Sequence, residues 1–258
     1  MDLGIADRVA LVCASTSGLG LGVATALAEE GVRVAVTGRH QESVAEVASG
    51  LPGAVGLVCD LSDQAQVRTL AARVRERCGR GIDILVLNGA GPPPGTADSL
   101  DDATLTAALE QLLRGHRQLV ADVLPGMKEQ GWGRILAVGS SGVVEPIVDL
   151  AASNIGRAAL AAYLKSLAAV VAPDGITCNM ILPGRIDTPR IQQLDRKRAE
   201  ATATSAEEVA AASQAGIPAG RYGTTEEFGR TAAFLCSVPA SYITGSRIRV
   251  DGGLARSY

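Results

Sequence analysis

Short apolar runs alternate with longer segments of helical periodicity from one end of the chain to the other. Several of the short runs are nearly continuous in Val, Ile and Leu, which is typical of strands covered on both faces of a parallel sheet. The pattern predicts strands at residues 9–13, 33–37, 54–58, 84–88, 133–138, 176–182 and 247–250.

Helical segments lie between these strands, at residues 19–30, 42–48, 63–78, 100–128, 151–171 and 225–236. Strands and helices that alternate through short connections form right-handed crossovers, which produce a parallel sheet with helices on both faces. No repeat, linker or low-complexity tract interrupts the alternation. The sequence therefore predicts a single α/β domain, residues 1–258, with a doubly wound, seven-stranded parallel sheet.

The segment 189–219 departs from this alternation. It follows a Pro-Gly turn, is rich in Ala, Glu, Gln and Arg, and contains no strand pattern. A surface helical excursion is one interpretation. The other is a mobile lid over a substrate, because long insertions near the carboxyl ends of strands commonly bind ligands. We predict a substrate lid.

Composition and charge limit the kinds of binding partner and the cellular compartment that we expect. The net charge of −3 gives no electrostatic reason to expect nucleic acid or an anionic membrane as a partner. Five cysteines are scattered without a C-x-x-C pair, which argues against a zinc site or a disulfide framework. The N-terminus lacks a signal-peptide pattern, and no apolar stretch approaches the roughly 20 residues of a membrane span. We expect a soluble cytoplasmic protein without a metal.

A glycine-rich segment follows the first predicted strand and opens the first helix. Its glycines are Gly18, Gly20 and Gly22. Glycines at a strand–helix turn let backbone amides approach a pyrophosphate, and the helix N-terminus adds partial positive charge. Because the segment stands after the first strand of a long strand–helix alternation, it predicts a dinucleotide site.

The end of the second predicted strand bears on the choice between NAD and NADP. An acidic residue there would bind the adenosine ribose hydroxyls and select NAD. Gly38 and Arg39 stand there instead, and an arginine fork suits a 2′-phosphate, which favours NADP(H) over a merely solvated arginine. Asp60, after the third strand, is expected either to contact adenine or to cap the helix that starts near Ser62.

These features together resemble the short-chain dehydrogenase/reductase family along essentially the whole chain. The segment 88–91 (Asn-Gly-Ala-Gly) is similar to that family's Asn-Ala-Gly motif after the fourth strand. The segment 183–184 (Pro-Gly), followed by Thr188, resembles the loop that holds the nicotinamide carboxamide. The segments 220–227 and 242–253 resemble its C-terminal signatures, which are usually involved in tetramer packing.

The resemblance implies a Rossmann-type fold, a homotetramer, a small-molecule substrate, and hydride transfer between a nicotinamide and a carbonyl or alcohol carbon. NADP is the expected cofactor, with NAD as the alternative. Together with the glycine-rich segment, the resemblance places the cofactor on Ser15, Ser17, Gly18, Leu19, Gly20, Arg39, Asp60, Leu61, Asn88, Gly89, Ala90, Arg157, Pro183, Gly184 and Thr188.

The resemblance also locates the catalytic positions. In this family a serine orients the carbonyl, a tyrosine exchanges the proton, a lysine lowers the pKa of that tyrosine, and an asparagine supports a relay water. The serine position falls on Ser140, and the tyrosine position, thirteen residues later, falls on Ser153. Arg157 stands at the lysine position and Leu112 at the asparagine position. The catalytic residues expected here are therefore Ser140, Ser153 and Arg157.

The replacements change the proton chemistry. Serine is a much weaker acid than tyrosine and arginine stays protonated, so Ser153 and Arg157 cannot reproduce a tyrosine–lysine pair. Arg157 can still hold the nicotinamide ribose or bind a substrate carboxylate. His116 is one candidate for the missing acid, with an interface or surface role as its alternative. Glu145 and Asp149 are others if burial raises the pKa of either, and solvated loop carboxylates if not.

The leading hypothesis is an NADP(H)-dependent oxidoreductase that acts on a carbonyl or alcohol by a non-standard proton path. Ser140 would polarise the carbonyl, Arg157 would position the ribose, and Ser153 would complete the path with water or a loop carboxylate. Two other classes stay open: a nucleotide-binding protein without redox turnover (a sensor or partner subunit) and a non-redox lyase or dehydratase. No motif names the substrate.

Overall fold

The structure is a computed structural model that describes residues 1–257. Seven strands form one sheet in the order β3-β2-β1-β4-β5-β6-β7, and every neighbouring pair is parallel. The strands are β1 (Val9–Val12), β2 (Arg33–Gly38), β3 (Val55–Val58), β4 (Ile84–Leu87), β5 (Gly133–Val138), β6 (Ile176–Pro183) and β7 (Arg247–Val250). The predicted doubly wound sheet is confirmed. Its strand order reverses between β1 and β4, which opens a crevice at the carboxyl ends of the strands.

Nine α-helices accompany the sheet within the described residues: α1 (Gly18–Glu29), α2 (Gln41–Gly50), α3 (Gln64–Cys78), α4 (Asp102–Leu109), α5 (Gly115–Glu129), α6 (Ala151–Val171), α7 (Pro189–Thr202), α8 (Ala206–Ala215) and α9 (Thr225–Leu235). Helices α3, α5 and α6 cover one face of the sheet, and α1 and α9 cover the other. Leu11 and Leu85 face the first layer, whereas their neighbours Val12 and Val86 face the second. This alternation explains why the strands are apolar throughout.

The predicted helix 100–128 is not a single regular helix. A π-helical turn, Glu110–Arg114, separates α4 from α5, and the amide of Gly115 donates to the carbonyl of Glu110 five residues earlier. The expectation of one uninterrupted α-helix is therefore wrong at this point. One extra residue in a turn leaves the apolar spacing on either side almost unchanged, so periodicity does not reveal it.

The segment 189–219 is helical and forms α7 and α8. The buried carboxylate of Asp195 on α7 accepts a hydrogen bond from Tyr222 Oη at 2.9 Å and lies 3.8 Å from Nη1 of Arg185. Ser205 begins α8 with a capping box that includes Glu208. These contacts fix the start of the segment beside the end of β6, and its role as a substrate lid stays a prediction.

Helix α6 and the short turn that follows it contradict the expectation about apolar length. Ala151–Asp174 spans 24 residues, and its most apolar 18-residue window has a mean hydropathy of 1.4, so by length and composition alone it could cross a membrane. The alanine content of this stretch hides that length, since alanine is only weakly apolar. Helix α6 packs one side against the sheet through Leu160 and Leu164, as the core helix of a globular domain does. Only 28% of its apolar window is buried, which leaves an uncovered face.

Candidate active site

Asn88 links the end of β4 to the glycine-rich segment. Its Nδ2 donates to the carbonyl oxygens of Cys13 at 3.2 Å and Ala14 at 3.0 Å. A β-carbon on Gly20 would collide with the Ala14 carbonyl and lie 2.7 Å from Nδ2 of Asn88, so only glycine fits there. Ala14 itself has a left-handed φ of 46°. The turn therefore brings the start of α1 tightly against the end of β4.

The start of α1 presents free backbone amides beside an exposed serine. Ser17 is the N-cap residue, and its hydroxyl makes no capping hydrogen bond. The first-turn amides, which begin at Gly18, have no partner within the helix, and such amides are suited to an anion. Ser15 is different: its hydroxyl donates to the Val12 carbonyl at 2.7 Å and accepts from the Thr37 amide at 3.0 Å. The Ser15 amide donates to the Thr37 carbonyl at 2.8 Å, so only the carbonyl of Ser15 is left for a cofactor contact.

The end of β2 is shaped by a residue that the sequence reasoning passed over. A β-carbon on Gly38 would lie 2.6 Å from Cγ2 of Thr16 and 3.1 Å from its hydroxyl oxygen. Gly38 therefore makes room for Thr16, and the exposed Arg39 follows directly. A hydroxyl and a guanidinium at the end of β2 fit a 2′-phosphate.

Asp60 lies in the adjoining loop and does not cap α3. Its Oδ1 accepts hydrogen bonds from the amide and the hydroxyl of Ser62, which lower its pKa, and Arg39 lowers it further. Asp63 is the N-cap residue of α3 and accepts from the amides of Ala65 and Gln66. The alternative that Asp60 caps this helix is therefore wrong.

Leu61 is buried beside Gly89, and its Cδ1 lies 3.8 Å from the position of a β-carbon on Gly89.

Thr188 and the Pro183–Gly184 turn lie across the crevice from the start of α1. Thr188 begins α7, and its hydroxyl oxygen accepts from the Ile191 amide at 3.3 Å. A β-carbon on Gly18 would lie 3.6 Å from Cγ2 of Thr188, so the two turns approach closely. A β-carbon on Gly184 would lie 2.6 Å from Cα of Asp251, which requires glycine beside the end of β7.

Ser153 and Arg157 form a pair at the start of α6. Nε of Arg157 donates to Oγ of Ser153 at 3.3 Å, and Nη1 donates to the carbonyls of Val138 at 2.7 Å and Gly139 at 3.2 Å. These hydrogen bonds connect α6 to the carboxyl end of β5, directly before Ser140. Burial, and then the charge of Arg190, lowers the pKa of Arg157 to about 10. The guanidinium is still protonated at neutral pH.

Ser140 lies at the end of β5 with a free hydroxyl hydrogen. Its Oγ accepts from the amide of Gly142 at 3.1 Å, which leaves the O–H able to donate. Asn154 holds the following loop against α6, because its Nδ2 donates to the Ile147 carbonyl at 2.8 Å. A β-carbon on Gly142 would collide with Oδ1 of Asn154. The structure therefore positions Ser140 next to residues bonded to Arg157.

Leu112, which we predict to stand at the family's asparagine position, packs against Gly156. It is 1% exposed, and its Cδ1 would lie 2.9 Å from a β-carbon on Gly156.

His116 is buried next to Leu112. Its Nδ1 lies 3.1 Å from the Leu112 carbonyl, and its Nε2 is buried without a partner. Burial, and then the charge of Arg157, lowers the pKa of His116 to about 4. His116 is therefore a buried neutral imidazole, and its expected alternative as a surface or interface residue is wrong.

The loop carboxylates do not supply a ready acid. Glu145 is exposed, and its Oε1 accepts from the amides of Ser257 at 2.6 Å and Arg256 at 2.7 Å. These hydrogen bonds lower the pKa of Glu145, which is the opposite of the shift that a proton donor needs. Asp149 is exposed as well. The alternative in which burial raises the pKa of Glu145 is therefore wrong.

One residue of the site has no counterpart in the sequence reasoning. Arg190 stands in the first turn of α7, and its Nη2 lies 3.5 Å from the position of a β-carbon on Gly91. Nη2 of Arg157 and Oγ of Ser153 lie 3.9 and 4.0 Å from the same point. Only the folded chain brings these groups together, because they come from three separate segments.

The doubly wound parallel sheet, the glycine-rich turn after β1 and the group of Ser153, Arg157 and Arg190 place this protein among the Rossmann-fold enzymes. Residues 13–255 match the family model described as "Enoyl-(Acyl carrier protein) reductase". The chain is 33% identical to dehydrogenase/reductase SDR family member 4 of Sus scrofa, with 96% of this chain and 88% of the relative covered. It is 29% identical to the NADPH-dependent reductase BacG of Bacillus subtilis, over 98% of this chain and 100% of that protein.

A solved structure agrees over the full length. L-sorbose reductase from Gluconobacter frateurii, complexed with NADPH and L-sorbose, superposes with a TM-score of 0.95, is 29% identical, and covers 100% of both chains. This chain therefore belongs to the short-chain dehydrogenase/reductase family.

Proposed function

We propose that this enzyme is an NADP(H)-dependent reductase that acts on a carbonyl or alcohol substrate by a proton path without the tyrosine. The observation that carries the proposal is the Ser153–Arg157 pair, which lies beside Gly91 at the carboxyl edge of the sheet. The names of its relatives agree, since BacG is an NADPH-dependent reductase and the sorbose reductase was complexed with NADPH.

The residues of the crevice fit this cofactor. The free amides after Ser17 suit its pyrophosphate, and Arg39 with Thr16 suits the 2′-phosphate. Thr188 would hold the nicotinamide carboxamide, and one Nη2 hydrogen of Arg157 would reach the nicotinamide ribose, which leaves the other Nη2 hydrogen for a substrate. NADPH, when bound, supplies the hydride for the carbonyl carbon. We also propose cofactor contacts at Leu19, Gly89, Ala90 and Pro183.

The proton would pass through hydroxyl groups. Ser153 Oγ already accepts from Nε of Arg157, so its own hydrogen is free to donate toward the substrate oxygen or a water. Ser140 can donate to the same oxygen. Because a serine hydroxyl is a weak acid, we expect turnover slower than that of a positioned acid by about 10²–10⁴.

We also propose a homotetramer in the cytoplasm. Strand β7 pairs only with β6, which leaves one edge of the sheet open, and Tyr242 beside it is fully exposed. The uncovered side of α6 displays Ile155 and Val170. Such edges and apolar faces are suited to association between copies. All five cysteines are buried and unpaired, as is usual in a reducing compartment. Light scattering coupled to size exclusion tests the assembly.

The deciding experiment titrates the protein with NADPH and NADH and then follows NADPH oxidation on a carbonyl panel. We expect NADPH to bind more tightly, and Arg39→Gln to weaken NADPH about tenfold or more while leaving NADH unchanged. Arg68→Gln, at an exposed arginine of α3, is the matched control.

The possible results of this experiment distinguish the reductase from the two other classes of function. Binding of neither dinucleotide at saturating concentration would overturn the proposal. Tight NADPH binding without turnover on any substrate would favour the nucleotide-binding class, and product formation without NADPH oxidation would favour the lyase class.

A further inference from the structure

Two guanidinium groups and a hydroxyl surround one point beside Gly91, and we name Arg157, Arg190 and Ser153 the arginine clamp. Arg190 Nη2, Arg157 Nη2 and Ser153 Oγ lie 3.5, 3.9 and 4.0 Å from the position of a β-carbon on Gly91. Gly91 carries no side chain there, so the backbone leaves room for a small group. The clamp is built from α6 and α7, and it faces the loop that follows β4.

Arg157 retains donors for a ligand. Its Nε and both hydrogens of Nη1 are used by Ser153 and by the carbonyls of Val138 and Gly139. Arginine has five N–H donors, so the two hydrogens of Nη2 remain. That is the atom which faces the point beside Gly91.

The clamp carries positive charge without a carboxylate to balance it. Neither Arg157 nor Arg190 makes a salt bridge within residues 1–257, whereas seven other arginine or lysine pairs with acids occur there. Arg190 also occupies the first turn of the 14-residue helix α7, where the helix dipole disfavours a cation and where no acidic side chain stands. Asp187, the nearest acid along the chain, accepts from Nε2 of Gln192. An anion at this point would relieve the repulsion between the two arginines.

We propose that the arginine clamp binds the carboxylate of an oxo acid whose reacting carbonyl lies one or two carbons away. Ser153 then lies beside the carbonyl oxygen while the arginines hold the carboxylate. The hydride adds to the carbonyl carbon and a proton to its oxygen, so the carboxylate is unchanged in the product. This inference rests on the proposed reductase function and names its substrate class.

A cofactor phosphate is the competing occupant, and the fold favours the substrate. The pyrophosphate has its own donors at the start of α1, next to Ser17. The clamp instead shares its point with Ser153, which stands at the position that exchanges the proton. Arg190 further belongs to the segment 189–219, which we predict to cover the substrate.

The test compares acids with their esters. Pyruvate and acetoacetate are measured against methyl pyruvate and methyl acetoacetate as substrates with NADPH. We expect wild type to prefer at least one acid over its ester. Arg190→Gln should lower that preference about ten- to hundredfold without changing the affinity for NADPH. Arg196→Gln is the control, because it removes the same charge from an exposed position of α7.

Binding measurements separate this inference from the proposed function. Oxamate and malonate are titrated calorimetrically into wild type, Arg190→Gln and Arg196→Gln, with and without NADP⁺, and NADPH is titrated separately. NADPH binding with no carboxylate binding and equal use of acids and esters would overturn the clamp alone. Loss of NADPH affinity in Arg190→Gln, with the acid preference intact, would assign the arginine to the cofactor. Failure of NADPH to bind would overturn the proposed function, and carboxylate binding lost in Arg190→Gln would still support the clamp.

Discussion

The buried imidazole of His116 makes the stability of this protein depend on pH in a way that one substitution can isolate. His116 is 2% exposed, and its Nδ1 lies 3.1 Å from the Leu112 carbonyl. Because a carbonyl only accepts, Nδ1 carries the hydrogen, and Nε2 of the neutral ring is left without a partner. Protonation would place a second positive charge near Arg157 in a buried site.

The size of the effect follows from the pKa in the two states. Burial and then Arg157 lower the pKa of His116 from 6.5 to about 4 in the folded protein. Between these values the unfolded chain binds more protons than the folded chain, so stability falls as the pH falls. Linkage gives a loss on the order of 2 kcal/mol between pH 7.5 and pH 5 from this residue.

The assay is urea unfolding followed by circular dichroism at a series of pH values. His116→Asn keeps an N–H near the position of Nδ1 and does not titrate, so it should lose about 2 kcal/mol less than wild type over this range. The space left by the smaller side chain adds a constant offset, which cancels when slopes are compared. His40→Asn, at the exposed and only other histidine, should keep the wild-type slope. Parallel curves for wild type and His116→Asn would refute the reasoning.

Four further predictions concern local packing and the replaced catalytic pair. Ala14→Gly should stabilise the fold by about 0.5–1 kcal/mol in urea titrations, since φ is 46° there, whereas Ala24→Gly inside α1 should destabilise it. Gly156→Ala should cost about 1–2 kcal/mol by the same assay because of Leu112, and a Leu112→Ala background should cancel most of that cost; additive effects would contradict this. Glu145→Gln should speed amide hydrogen exchange at Arg256 and Ser257, and unchanged exchange would mean that the carboxylate does not hold them. Ser153→Tyr with Arg157→Lys should raise NADPH-dependent reduction of simple ketones by less than about tenfold, because Leu112 still occupies the relay position; a gain of about 10² or more would show that only this pair was missing.

The sheet could be predicted well from the sequence because each strand is marked by the residues of its own short segment. Each strand is a short apolar run, and burial on both faces makes that run continuous, as at Leu11 and Val12. Strand ends differ from prediction by a residue or two, as at β1, which ends at Val12. The π-turn before Gly115 was missed, since one additional residue barely changes the apolar pattern around it.

The site was predicted less completely because its geometry is not local. The resemblance predicts Ser140, Ser153 and Arg157 as catalytic residues, but spacing alone does not say which atoms of an arginine are already bonded. Arg190 was missed: an arginine two residues after Thr188 in a polar helix has the pattern of a solvated side chain. Its position facing Gly91 depends on how α7 crosses the carboxyl edge of the sheet. The absence of any acid in the first turn of α7 was the one signal in the sequence.

Ser153 and Arg157, which we predict to stand at the family's tyrosine and lysine positions, shape the site together. Arg157 donates to the Val138 and Gly139 carbonyls and to Ser153 at once, through a planar guanidinium that fixes the direction of each donor. The single ammonium of a lysine has no such fixed fork. The short side chain of Ser153 in turn leaves room beside Gly91, and Arg190 reaches into that room. A bulky phenol at position 153 would compete with Arg190 for the same space. The site thus holds a pair of fixed positive charges beside a serine, and such a site is suited to a substrate that carries its own negative charge.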